Sequence, residues 1–342
     1  MQMQMKLNMA KVDDSWRSWI SENLLLGGNP ATLHATMMQA GIPRLEAERE
    51  IRAAIASPYL RPIARMRARL AKRDWLLETL SRLTRMHPDA TKVERRERIS
   101  RDEFLRDYYS QNRAVIITGM LGEWAAMQKW SLDYFADTLG EREVEVQFGR
   151  DGDPDYEVNQ PKHKRTMAFG QYVETVRSAG VTNNFYMTAN NSGHNKKAIQ
   201  ELWGDITQLP EYLDGSDPMA GYFWLGPAGT LTPFHHDLTN NFMAQVIGRK
   251  RVLLIPAHQL PLTYNHLHCY TPVDGNAIDY ERFPLLKDAT IQEVILHPGE
   301  LLFLPIGHWH FVEALDVSCT MSFTNFVFDN DFSSNYRTYS EV

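Results

Sequence analysis

The stretch that most restricts this chain is 222–257, YFWLGPAGTLTPFHHDLTNNFMAQVIGRKRVLLIPA, which sets a His-x-Asp pair on one expected strand and a lysine on the next. Side chains two apart on a strand point the same way, so His235 and Asp237 can reach one point while His236 faces away. That is half of a metal site. Further on, HPGELLFLPIGHWHFVEAL at 297–315 reads as a Pro-Gly turn and an apolar run leading into another buried strand. It carries His310, a well-placed third ligand, and also His308, which shares its face, so either ring could complete the set. Two imidazoles and one carboxylate leave coordination positions open, which suits ferrous iron in an oxygenase better than a closed structural site with four ligands.

The 342 residues, 43% apolar and 23% charged, suffice for one large domain and a smaller one. Cys269 and Cys319 are too few for a disulfide framework and lack metal-site spacing, so buried thiols in a reducing compartment are expected. No continuous apolar h-region stands in MQMQMKLNMAKVDDSW, and no run reaches the roughly 18 apolar residues of a membrane span. Cytoplasmic residence and no membrane partner are the expectation. Charge is segregated: residues 41–100 carry 15 Lys/Arg against 8 Asp/Glu, net +7, whereas 101–342 carry 18 against 31, net −13. A basic helical face is more often solvated than bound, and without a nucleic-acid motif such a partner is not favoured.

Residues 1–98 read as a helical region. Trp16, Trp19, Ile20 and Leu24 recur at helical spacing before Gly27-Gly28; Asn29-Pro30 opens a second helix with Leu33 and Met37; Leu45, Ile51 and Ile55 mark a third; Ile63, Met66, Leu70, Leu77 and Leu80 stripe a longer fourth. A small helical core is the simplest use of these stripes. From 99 to 342 the pattern is mixed: Ser100 and Ser131 cap helices, Ala114–Thr118 is a strand, REVEVQFG alternates like an exposed-edge strand, and a polar loop runs from Arg150 to about Lys164.

TPFHHD at 232–237, NFMAQVIGRKR at 241–251, DYERFP at 279–284 and HPGELLFLPIGHWH at 297–310 together make residues 99–328 resemble the JmjC or cupin-like iron and 2-oxoglutarate oxygenases, in particular the branch that hydroxylates an asparagine of hypoxia-inducible factor. The resemblance implies a mostly β fold with helices, a double-stranded β-helix (jelly roll) whose core covers about 180–328, behind an N-terminal α-helical domain. It implies His235, Asp237 and His310 as the Fe(II) ligands and catalytic centre, with O₂ as oxidant. Lys250 and Thr232 resemble the pair that binds the distal carboxylate of 2-oxoglutarate, and Asn241, Asn325 and Tyr186 align with residues lining that pocket. The C-terminal dimerising helices of that branch have no counterpart here, which leaves the N-terminal helices as the expected place for a homodimer.

The residues support these roles on their own chemistry. A dicarboxylic cosubstrate brings a carboxylate into an apolar barrel, where it needs a cation and donors. Lys250 follows the turn at Gly248-Arg249, so 241–247 and 250–255 are expected to form a hairpin carrying it back beside the metal strand. In CTMSFTNFVF, Asn325 alternates with Cys319, Met321 and Phe323 and is expected to point into the barrel with them. His258, His266 and His268, between the metal strands, are expected to be structural or substrate-loop residues. The function expected is hydroxylation of a peptide or protein side chain with release of succinate and CO₂. Demethylation, a small-molecule or modified-nucleoside substrate, and a non-catalytic cupin-like binding module are the alternatives.

Overall fold

The computed structural model describes residues 11–189 and 192–338, with all side chains among them except those of 61–64 and 192. The expectations about the N-terminal leader and about Ile63 therefore fall outside the described residues. Two compact units divide between Thr79 and Leu80, earlier than the boundary expected near residue 98. Residues 94–97 explain the difference, because they form a strand of the second unit.

In the first unit, Asp13 accepts from the amide of Trp16 to cap helix α1 (Asp14–Leu25), and Asn29 caps α2 (Pro30–Gln39) with proline in its first turn. Gly41 at φ +87 ends α2, in the left-handed region that only glycine enters freely. Helix α3 (Arg44–Ala56) follows. Val12, Ile20, Leu33, Met37, Ile42, Ala47 and Ile51 form a core among the three helices, with Trp16, Trp19 and Leu24 packed at its edge. Of the face expected for α3, Ile51 is buried, together with Ala47, whereas Leu45 and Ile55 are exposed. Helix α4 (Leu60–Met86) departs further from expectation: Met66, Leu70 and Leu80 of its stripe are exposed.

The second unit is built on three sheets. Strands β1 (Glu94–Glu97), β2 (Val115–Thr118), β6 (Tyr222–Gly226), β8 (Asn241–Ile247), β11 (Leu301–Leu304) and β13 (Ser318–Phe323) form one sheet, in the order β1-β2-β11-β8-β13-β6. A second holds β7 (Leu231–His236), β9 (Lys250–Ile255), β10 (Gln292–Leu296) and β12 (Trp309–Ala314), in the order β10-β9-β12-β7. Apart from the parallel β1–β2 pair, both are antiparallel. From β6 onward successive strands alternate between the two sheets, except that β9 and β10 both lie in the second, the winding of a double-stranded β-helix. Hence β8 and β9 are not a hairpin: they lie in different sheets, and the link at Gly248 (φ +68) crosses between them. A Cβ there would stand 2.1 Å from the Val317 carbonyl oxygen, so the crossing requires glycine.

The third sheet orders β3 (Glu143–Phe148) between β4 (Lys164–Ala168) and β5 (Phe185–Tyr186). The REVEVQFG segment is thus a central strand, with Val144 and Val146 fully buried. Ser100 and Ser131 do cap their helices, accepting from Glu103 and Tyr134 amides. The largest core cluster packs Phe104, Phe135, Phe223, Phe242, Phe303 and Met321 outside the barrel. Among the described residues no helix is long and apolar enough to cross a membrane.

Candidate metal centre and cosubstrate pocket

Strands β7 and β12 pair so that His235 and His310 stand directly opposite. Their rings lie 4.1 Å apart between centroids, and Asp237, just past the end of β7, brings Oδ1 to 3.7 Å from His235 Nε2 and Oδ2 to 3.9 Å from His310 Nε2. One ligand atom from each of the three lies within 4.8 Å of the others. Each imidazole is turned by its own strand. Nδ1 of His235 donates to the Pro233 carbonyl at 2.9 Å, and Nδ1 of His310 to the His308 carbonyl at 3.0 Å. Since a carbonyl only accepts, the ring proton sits on Nδ1 and the Nε2 lone pair is free to face Asp237. Burial, reinforced by neighbouring His310, pushes His235 down to about 4, so it stands ready as a neutral ligand. Two imidazole nitrogens and one carboxylate are a donor set that would suit a divalent metal such as iron(II).

His308 is set apart from this cluster. It precedes β12 in the turn after Pro305, its Nδ1 is buried without a hydrogen-bond partner, and burial drives it to about 3. The expected same-face relation with His310 fails because the strand begins only at Trp309. His236, as expected, faces away, edge-on to Trp309 at 4.9 Å. His258 hydrogen-bonds Thr84, and His266 and His268 lie in the segment after β9.

A cavity of about 70 Å³ opens beside the triad and is lined by His235, Asp237 and His310 together with Thr232, Asn241, Lys250 and Tyr186. Seven of the eight residues singled out in the sequence thus share one cavity. Thr232 reaches it through an irregularity that parity alone does not foresee. The β7–β12 register shifts between His310 and Val312, a β-bulge. Three residues apart, Thr232 and His235 therefore both face the pocket, while Phe234 is buried elsewhere against Phe311.

Asn325 is the exception. It lies beyond β13, where its side-chain amide donates to the Asp214 carbonyl at 2.7 Å, and it borders a different cavity with Trp124 and Trp203. The face expected for Asn325 is the opposite one: Cys319, Met321 and Phe323 enter the outer aromatic core, whereas Thr320 and Ser322 line the cavity beside the triad. Trp224 also lines it, donating from Nε1 to Ser322 Oγ at 2.8 Å. The period-two pattern was visible in the sequence, but both faces of β13 are buried, so no polar-out signal distinguished them.

Lys250 is 3% exposed, and its Nζ donates to the Tyr186 hydroxyl at 3.0 Å. Burial lowers it to about 8. Among the described residues no carboxylate forms an ion pair with it, so a buried cation faces the cavity with only a phenol as partner. Such a group carries a large desolvation penalty that an anionic ligand would offset. Its strand pairs with β12 so that Leu254 stands opposite His310 and Lys250 opposite Ala314. Lys250 therefore enters about 13 Å along the sheet from the metal rung, at the rise of a strand. Asn241 completes the junction, donating to Asp237 Oδ2 at 3.1 Å.

A wider opening of about 300 Å³ lies above Asp237, bounded by Glu157, Tyr222, His268 and Tyr270. Glu157 is held by fully buried Arg150 through Nη2 at 2.9 Å, and Arg150 also donates to the Leu231 carbonyl at 2.7 Å. Its guanidinium lies 4.2 Å over the Tyr156 ring and 5.2 Å from that of Tyr186. Neither residue was recognised in the sequence, where they sit in a stretch that reads only as a polar loop. An Arg and a Glu seven apart carry no signal until β3 and β5 fix where that loop returns.

Comparison with known proteins agrees with the geometry. The family model described as the cupin-like domain matches residues 101–334. The chain is 33% identical to lysine-specific demethylase JMJ30 of Arabidopsis thaliana over 241 residues, 68% of this chain and 54% of that protein. It is 30% identical to lysine-specific demethylase 8 of Xenopus tropicalis, covering 65% of this chain and 50% of that one. To tRNA wybutosine-synthesizing protein 5 of Gallus gallus it is 27% identical, over 65% and 73%. The chain spans about half the length of the two demethylases. With its paired sheets, His-Asp-His cluster and buried lysine, the chain belongs to the cupin-like JmjC family of iron- and 2-oxoglutarate-dependent oxygenases.

Proposed function

We propose that this chain is a dioxygenase that hydroxylates a carbon of a peptide or protein side chain, using Fe(II), 2-oxoglutarate and O₂ and releasing succinate and CO₂. The observation that carries the reading is Lys250, a buried cation without an acidic partner, in the same cavity as three converging ligands. His235, Asp237 and His310 would hold the metal, whose chemistry with O₂ and 2-oxoglutarate supplies the oxidising power. Lys250, Tyr186 and Thr232 would bind the remote carboxylate and orient the cosubstrate. Asn241 steadies Asp237, and the walls formed by Trp224, Met243, Leu304 and Val312 exclude water. The wider opening gives room for a side chain entering from outside.

The relatives' names favour a second reading, removal of a methyl group from lysine. Both readings use the same oxidation, since a hydroxylated N-methyl carbon departs as formaldehyde. The unpaired, buried thiols of Cys269 and Cys319 suit the reducing cytoplasm. The test is to incubate the protein with Fe(II), 2-oxoglutarate and O₂ and to measure succinate, then to analyse peptides by mass spectrometry. A gain of one oxygen supports hydroxylation, loss of a methylene with formaldehyde supports demethylation, and the absence of iron-dependent succinate argues for a binding module.

A further inference from the structure

Asp237 is the one member of the triad that stands outside a strand. His235 and His310 lie within β7 and β12, whereas β7 ends at His236 and β8 begins at Asn241 in the other sheet, so Asp237 opens the link 237–240 between them. A carboxylate carried on such a link keeps its place only through hydrogen bonds other than a sheet ladder. Two bonds tie the link to the turn that leads into His310. The Gly307 amide donates to the Asp237 carbonyl at 3.2 Å, and the Ile306 amide donates to Asn240 Oδ1 at 2.8 Å. The turn itself is closed by the His308 amide on the Pro305 carbonyl at 3.1 Å.

Asn240 is 2% exposed, and its own position is set from a third piece of chain. Asn330, on the segment after β13, accepts from the Asn240 backbone amide at 2.8 Å and from Asn240 Nδ2 at 3.0 Å, and donates back to the Asn240 carbonyl at 3.1 Å. One side chain thereby satisfies both backbone groups of a buried residue, as a residue on a neighbouring strand would. Its Nδ2 also donates to the Thr324 carbonyl at 2.8 Å. Two donors meet Oδ1 and two carbonyls meet Nδ2, so the amide fits in one orientation only. The segment that carries Asn330 is itself anchored. Phe326 is buried in the outer aromatic core, Phe328 packs on Tyr109 with ring centroids 4.9 Å apart, and the Tyr109 hydroxyl donates to the Asp329 carbonyl at 2.9 Å.

We propose that Asn330 is a positioning residue for the metal centre: acting through Asn240, it fixes the link 237–240 against the 305–308 turn and holds the Asp237 carboxylate where it meets His235 and His310. The inference rests on reading those three residues as the metal ligands. Its consequence is specific to one of them. Without the Asn330 amide the two histidines keep their register across β7 and β12, and Asp237 alone loses the support behind it.

The test uses the full chain, first free of metal and then loaded with Co(II). In the metal-free chain, Asn330→Ala should speed hydrogen exchange at the amides of Asn240, Ile306 and Gly307 and leave that of β12 unchanged. With Co(II), the variant should show an altered visible spectrum and a dissociation constant raised about tenfold to a hundredfold, the usual effect of losing support behind a ligand. Asn330→Asp keeps the acceptor and loses both donors, so it should weaken Co(II) binding less; it carries the same two measurements if Asn330→Ala does not fold. Asn325→Ala is the control, since its amide serves the Asp214 carbonyl from the same segment, and it should keep the parental spectrum and affinity. A folded Asn330 variant with parental Co(II) spectrum and affinity, beside a His235→Ala that loses the metal, overturns the inference alone. Equal changes in Asn325→Ala and Asn330→Ala also overturn it. Co(II) bound equally by the parent and by His235→Ala overturns the reading of the triad and the inference with it.

Discussion

His235 and His310 are register partners across β7 and β12, and each donates its Nδ1 proton to the carbonyl two residues before it on the chain, Pro233 and His308. The backbone thereby sets both tautomers before any metal arrives. His235→Ala or His310→Ala should each abolish turnover and lower metal affinity at least about tenfold. His308→Ala should keep the metal, because that ring lies outside the three-residue cluster. Equilibrium dialysis with Fe(II) under anaerobic conditions reads this directly; metal loss in His308→Ala with retention in His310→Ala would reverse the assignment.

Lys250→Ala should raise the 2-oxoglutarate concentration needed for half-maximal turnover about a hundredfold or more while iron binding persists. The loss of a buried partner for a buried carboxylate is worth about 3–5 kcal/mol. An unchanged requirement in this variant would remove Lys250 from the cosubstrate site.

The same lysine predicts a pH dependence. Burial lowers it to about 8, so the cation is present below that value and is lost as pH rises through it. Affinity for 2-oxoglutarate should therefore be highest below pH 8 and fall above it, with uptake of a proton on binding at alkaline pH. Calorimetric titrations in buffers of different ionisation enthalpy measure that proton; no uptake above pH 8 would contradict the assignment.

Asn325→Ala should leave the 2-oxoglutarate requirement unchanged and cost about 1 kcal/mol of stability, since its amide serves the Asp214 carbonyl outside the pocket. Ser322→Val should do the reverse and impair cosubstrate binding, because Ser322 lines the cavity and accepts from Trp224. Paired thermal melts and Michaelis constants separate the two; an Asn325→Ala enzyme with a raised 2-oxoglutarate requirement would restore it to the site.

Arg150→Ala takes away the guanidinium that holds Glu157, and with it the bond to the Leu231 carbonyl beside Thr232. Breaking a buried pair from one side costs about 3–5 kcal/mol, so a clear fall in the unfolding midpoint is expected. Arg150→Met combined with Glu157→Gln should recover part of it. A single variant as stable as the parent would mean that the pair contributes nothing.

What the sequence by itself determined is the chemistry that local spacing carries. His-x-Asp on a strand, a lysine opening an apolar strand, and a histidine after a Pro-Gly turn each follow from a two-residue period and from turn residues. The ends of β8 and β9 were legible for the same reason. Long-range pairing decided the rest. Only the sheet pairings show that β8 and β9 part company at Gly248 and that REVEVQFG lies between two strands of the third sheet, and only the folded loop shows that Arg150 returns to hold Glu157. Thr232 faces the pocket because of a bulge opposite Phe311, and Asn325 does not because it shares the parity of Cys319, Met321 and Phe323, which face the outer core, and lies beyond the end of β13. Parity along one strand cannot say which side is inside when both sides are buried; that depends on the strand's neighbours, which lie up to about 200 residues away along the chain.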